Sequence, residues 1–145
     1  MKNIFFHNEV PINYRLLNKQ LLRNWLHKAA KKEGYQIKNL NFIFCTDEYL
    51  YEMNINYLQH DTYTDVITFD QSEEKSKIEG DIFISLERVK ENAIQNKSKI
   101  HNELHRIMIH GLLHLMNYKD KSAALKKKMT AKEEEYLKLR PKVCC

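Results

Sequence analysis

The stretch from Lys99 to Met116 constrains the fold more than any other part of the chain. Ile100, Leu104, Ile107, Met108, Gly111, Leu112 and Leu115 recur at three- and four-residue intervals, the spacing of one helix face. The spacing predicts a core helix with the rest of the chain packed on its stripe. Gly111 falls on that stripe, although glycine costs about 1 kcal/mol of helix propensity against alanine. A close approach by another backbone is the expected compensation. Asn117 stands where the helix should stop, and asparagine tolerates the left-handed conformation that ends many helices.

The other elements follow from similar patterns. Asn3–Phe6 reads as a short first strand. Tyr14–Lys32 carries Leu16, Leu17, Leu21, Leu22, Trp25 and Ala29 at helical spacing, and Gly34 follows where a helix C-terminus often has glycine. LNFIFC at Leu40–Cys45 reads as a buried strand. Thr46 is placed to cap a helix running to about Tyr57, with Asp47 and Glu48 where the helix dipole favours carboxylates. DVITF at Asp65–Phe69 and DIFI at Asp81–Ile84 read as strands that pair antiparallel across the charged turn Ser72–Lys77. Ser85 is placed to cap a helix through Gln95, and Ser122–Leu139 reads as a last, highly charged helix. This order predicts an α+β fold, a small mixed β-sheet of about four strands covered by helices, in a single domain spanning residues 1–145.

Bulk properties agree. With 145 residues, three Gly and two Pro, the chain has little room for long irregular segments. Three cysteines, Cys45, Cys144 and Cys145, form no framework and point to a reducing compartment. The last two end the chain and read as a frayed tail. No window approaches the roughly 20 apolar residues of a membrane span, and the start lacks a signal peptide, so the cytoplasm is expected. The net charge of +5 suits a polyanionic partner, and equally a mildly basic surface. Arg15, Arg23, Lys28, Lys31, Lys32 and Lys126–Lys128 are the candidates for phosphate contact.

His110 and His114 flank the apolar stripe four residues apart, so both imidazoles can reach one ion. A turn at Asn117 can bring Asp120 back to them, completing a two-imidazole, one-carboxylate metal site. Glu103, on the same flank, is a candidate supporting group, with a surface ion pair as the plainer reading. Spacing alone does not choose the ligands, because His101 and His105 repeat the interval on the opposite flank. Gly111 stands where zincin peptidases carry the glutamate that acts as base. Peptide hydrolysis is therefore disfavoured, whereas phosphodiester cleavage needs a Lewis acid and an activated nucleophile.

HGLLHLMNYKD at His110–Asp120 resembles the histidine-rich signature of the YbeY endoribonucleases, H-G-x-L-H-L-x-G-Y-D-H. TDVITF at Thr64–Phe69 and GDIFIS at Gly80–Ser85 resemble two further strands of that family in the right order. The resemblance covers about Thr46 to Tyr136. It implies a zincin-like metal-site helix and a metal-dependent single-strand endoribonuclease. Its roles would be maturation of small-subunit ribosomal RNA and ribosome quality control. Its partners would be ribosomal RNA and the small ribosomal subunit, with neither membrane nor nucleotide cofactor. The implied cofactor is one divalent ion, Zn2+ first, on His110, His114 and Asp120.

Two departures stand out. Asp120 occupies the place of the family's third histidine, preceded by Lys119 in place of an aspartate. Leu58 falls where the family carries a phosphate-holding arginine, which leaves His60 as a substitute candidate. His60 and Lys119 are accordingly the candidate catalytic groups, and no base is assignable from the residues. The altered ligand and the missing arginine also admit an alternative, a non-catalytic, metal-stabilised ribosome assembly factor.

Overall fold

Alternation within the strands decides how the sheet is covered. In β4 (Lys77–Ser85), Ile78, Gly80, Ile82 and Ile84 are buried on one face, while Glu79, Asp81 and Phe83 point to the other. β2 (Gln36–Cys45) repeats the pattern through Leu40, Phe42 and Phe44. The remaining strands are β1 (Ile4–Asn8) and β3 (Val66–Asp70). The helices are α1 (Lys19–Lys32), α2 (Asp47–Leu58), α3 (Leu86–Gln95), α4 (Ile100–Leu115) and α5 (Ala123–Lys138). This is a computed structural model, and it describes residues 3–59 and 62–141. His60, Cys144 and Cys145 lie outside those residues.

The four strands form one sheet in the order β1-β2-β4-β3. β1, β2 and β4 are mutually parallel, and β3 closes the far edge antiparallel to β4, as the charged turn predicts. The fold is thus the expected α+β arrangement. Val66 and Thr68 pair with Ile84 and Ile82, and therefore share the face that α4 covers. On that face Trp25 and Leu26 of α1, Ile82 and Ile84 of β4, Leu112 of α4 and Met129 of α5 belong to one apolar cluster. Each such side chain contributes about 1.5–3 kcal/mol when fully buried. The Trp25 indole N–H donates to the Tyr136 carbonyl at 2.7 Å and ties α1 to α5. A smaller cluster of Cys45, Leu50 and Ile67 lies under α2 on the opposite face.

Helix ends fall where the caps predict. The hydroxyls of Thr46, Ser85 and Ser122 each accept the backbone N–H three residues on. Three expectations need correction. The first helix begins at Lys19 rather than Tyr14, because Asn18 adopts φ 59°, a left-handed conformation that no helix continues through. Leu16 is buried from the non-helical lead-in, and Leu17 is 63% exposed, so the apparent helical rhythm there was coincidental. β2 and β4 each start about four residues earlier than expected, because Ile37 pairs with Ile78 and extends both strands. Gly111 does not admit a neighbouring backbone. A Cβ there would sit 2.9 Å from the Ile82 side chain, so the space is filled by a β4 side chain instead.

Candidate metal centre

The site begins with how α4 stops. Asn117 takes φ 72°, its N–H donates to the His114 carbonyl at 3.0 Å, and the Tyr118 N–H donates to the Leu113 carbonyl at 3.0 Å. This pair of bonds is the Schellman closure of a helix. It satisfies the last carbonyls and reverses the chain within two residues. Ser122 then starts α5, which packs back along α4. Asp120 lies in the short connection between the two helices, with Oδ2 3.3 Å from His114 Nε2 and 3.6 Å from His110 Nε2.

The two imidazoles are oriented from behind. His110 Nδ1 lies 2.6 Å from Glu133 Oε2 on α5, and His114 Nδ1 lies 3.0 Å from the Tyr118 carbonyl. A carbonyl and a carboxylate are acceptors, so both Nδ1 atoms carry the hydrogen. In the neutral rings both Nε2 atoms then hold lone pairs. Those atoms face one another at 3.0 Å, beside the Asp120 carboxylate. Three electron-pair donors converging without a donor hydrogen between them repel unless a cation or a proton joins them. One ligand atom from each of His110, His114 and Asp120 lies within 4.8 Å of the others, a group able to hold a metal ion.

The electrostatics differ between the rings. Burial works against charge on His110, but the Glu133 hydrogen bond and the charges of Glu133, Asp120 and Asp65 outweigh it and raise its pKa. For His114, burial dominates, His110 adds to it, and the pKa falls. Glu133 itself is held by Arg106 at 3.0 Å. Glu33, at the end of α1, accepts from Tyr118, Tyr136 and Lys132 and so ties the turn after α4 to α1 and α5.

The triad opens into a cavity of about 420 Å³ that runs along the β3 edge from Thr64 to Thr68 and is also lined by Asn54, Leu58 and Asp65. Asn54 is buried and donates to the Thr62 carbonyl at 2.7 Å, which pins that rim. Among the described residues no lysine or arginine lines this cavity. Leu58, at the place of the family's arginine, does. Arg23 is instead bonded to the Ile4 carbonyl and Lys32 is paired with Glu135.

Other sequence candidates fall elsewhere. Lys119 is exposed and lines a separate cavity with Tyr118 and Lys128, because neighbouring loop residues point to opposite sides and Asp120 takes the inward place. Glu103 lies away from the triad and accepts from Ser98 at 3.0 Å, closing the first turn of α4. The second histidine pair is not an open ligand pair. His105 is 2% exposed and its Nδ1 accepts from Arg140 at 2.8 Å. Burial, with Arg140 and His101 beside it, pushes its pKa down to about 3. Sequence reasoning missed Glu133 and Asp65. Glu133 carried no local signal among three successive glutamates, whereas Asp65 lay within a quoted motif.

The family model described as Endoribonuclease YbeY matches residues 6–140. An "Endoribonuclease YbeY" of Cytophaga hutchinsonii is 55% identical over 139 residues, covering 96% of each chain. One of Amoebophilus asiaticus is 44% identical over 135 residues, covering 93% of this chain and 91% of that one. The solution structure of TM1509 from Thermotoga maritima superposes with a TM-score of 0.63 at 29% identity, covering 93% of this chain and 87% of that one. A matching family model across nearly the whole length, close relatives and a shared fold lead to one assignment: this chain belongs to the Endoribonuclease YbeY family.

Proposed function

We propose that the chain is a metal-dependent single-strand endoribonuclease that matures small-subunit ribosomal RNA and serves ribosome quality control. It forms one metallohydrolase domain and works in the cytoplasm with ribosomal RNA and the small subunit as partners. His110, His114 and Asp120 hold one divalent ion, Zn2+ first. The observation that carries this reading is the convergence of two Nε2 lone pairs and a carboxylate, each imidazole fixed through its other nitrogen. The donor set fits: imidazole and carboxylate are both established zinc ligands.

When bound, a divalent ion supplies positive charge to a phosphoryl oxygen in a cavity whose described lining has no lysine or arginine. The chain's residues orient and hold. Glu133 and the Tyr118 carbonyl fix the two rings, and the turn at Asn117 delivers Asp120. Asn54 keeps the cavity rim in place through Thr62.

The test measures metal content and cleavage of single-stranded RNA by the purified protein and by His114→Ala. The wild type is expected to hold one ion and cleave, and the variant to lose both. Full cleavage by metal-free His114→Ala contradicts the proposal. Leu58 in the cavity, in place of the family's arginine, favours one second reading, a non-catalytic assembly factor. Metal and subunit binding without cleavage would select it.

A further inference from the structure

One carboxylate in the cavity lies outside the group of candidate metal ligands. Asp65 immediately precedes β3 and lines the same cavity as His110, His114 and Asp120. Its backbone is fixed, because its carbonyl accepts the Ser85 N–H at 3.0 Å, joining it to the end of β4 and the start of α3. Ser85 caps α3, so the anchor is itself rigid. Asp65 is not among the ligand atoms that lie within 4.8 Å of one another, so it shares the cavity of the centre without belonging to it. Among the described residues, no side chain donates a hydrogen bond to its carboxylate, which takes only its own backbone N–H. A half-buried carboxylate with no side-chain donor, beside a cation site, is costly unless it serves a ligand.

The geometry points to Asp65 as the general base of the reaction, the group that takes the proton from the attacking hydroxyl. This rests on the endoribonuclease reading above. In the step, the O–H bond of the attacking hydroxyl breaks and its proton goes to an Asp65 carboxylate oxygen. The freed electron pair forms the new O–P bond. The P–O bond to the leaving ribose oxygen breaks, and that oxygen takes a proton from solvent in the open cavity. No oxidant or further reactant is needed.

The electrostatic setting suits the role. Burial raises the Asp65 pKa above the ordinary aspartate value, against the opposing pull of His110 on α4 and Arg88 on α3, while Glu133 on α5 reinforces it. His114, Asp120 and Tyr63 complete the titratable lining among the described residues. A raised pKa makes the carboxylate a better proton acceptor than an exposed aspartate, provided it stays ionised at working pH. The base form is lost as pH falls through the raised value, so cleavage has an acid limb above the usual carboxylate range.

Asp65→Asn keeps the shape and removes the base. Metal content, affinity for a fluorescent single-stranded RNA, melting temperature and the pH profile of kcat are measured beside wild type. The expected result is about a 100-fold or larger loss of kcat with metal and RNA binding unchanged. The acid limb should vanish with it. Asp65→Ala offers a second route, in which added formate partly restores cleavage. Asp65→Asn cleaving within threefold of wild type overturns the inference, and so does its loss of the metal, which would make Asp65 a ligand. A wild type that holds metal but cleaves no RNA overturns the endoribonuclease reading instead, and the two failures are thereby distinct.

Discussion

Orientation of one imidazole rests on one residue. Glu133 is buried, accepts from Arg106 and holds His110 Nδ1 at 2.6 Å, fixing the tautomer that presents Nε2 to the cavity. Groups that orient a metal-binding histidine in this way change affinity by about 10–100-fold when altered. Glu133→Gln keeps an acceptor but removes the charge, so zinc affinity is expected to fall about tenfold or more. Competition against a chromophoric chelator measures it, and an unchanged affinity would show that Glu133 only packs. Residues of this kind resist reading from sequence. Glu133 lies 23 positions from His110, beside Glu134 and Glu135, and only the packing of α5 on α4 tells the three apart. His110 and His114 were legible because their partnership is local, within one turn of one helix. Asp120 was legible because a single left-handed residue, Asn117, dictates the reversal that brings it back.

Elements were legible wherever capping chemistry and periodicity agreed. The serine and threonine caps and the α4 stripe obey local rules, and their helices lie within a residue or so of expectation. Tyr14–Asn18 departs because tertiary burial of Leu16 from an irregular segment imitates helical spacing. The α4–β4 contact carries its own test. A Cβ at position 111 would lie 2.9 Å from Ile82 Cγ2, a branched side chain buried in the core. Gly111→Ala should recover about 1 kcal/mol of helix propensity but cost about 1–3 kcal/mol in overpacking. The expected net loss is about 1 kcal/mol, a melting temperature lower on the order of 3 °C. A rise in melting temperature by calorimetry would show that Ile82 yields easily. The same crowding should move His110, its neighbour on α4, and weaken metal binding.

At the scale of the whole molecule, the candidate site exists only because three separate parts meet. α4 supplies two imidazoles, the turn after it supplies Asp120, and α5 returns to supply Glu133. The β3 edge forms the opposite wall of the cavity and brings Asp65 to it. Strand order and the antiparallel edge are long-range outcomes that local pattern anticipates only at the level of a small mixed sheet. Among the described residues no helix is long and apolar enough to cross a membrane. The family match over residues 6–140 covers all three parts of the site. Everything proposed about the reaction depends on those parts holding an ion. The direct measurement is an anomalous-scattering map at the zinc edge from crystals grown with zinc. The account predicts one peak about 2.0–2.2 Å from His110 Nε2, His114 Nε2 and an Asp120 carboxylate oxygen. No peak there, or a peak with Asp120 turned away, would contradict it.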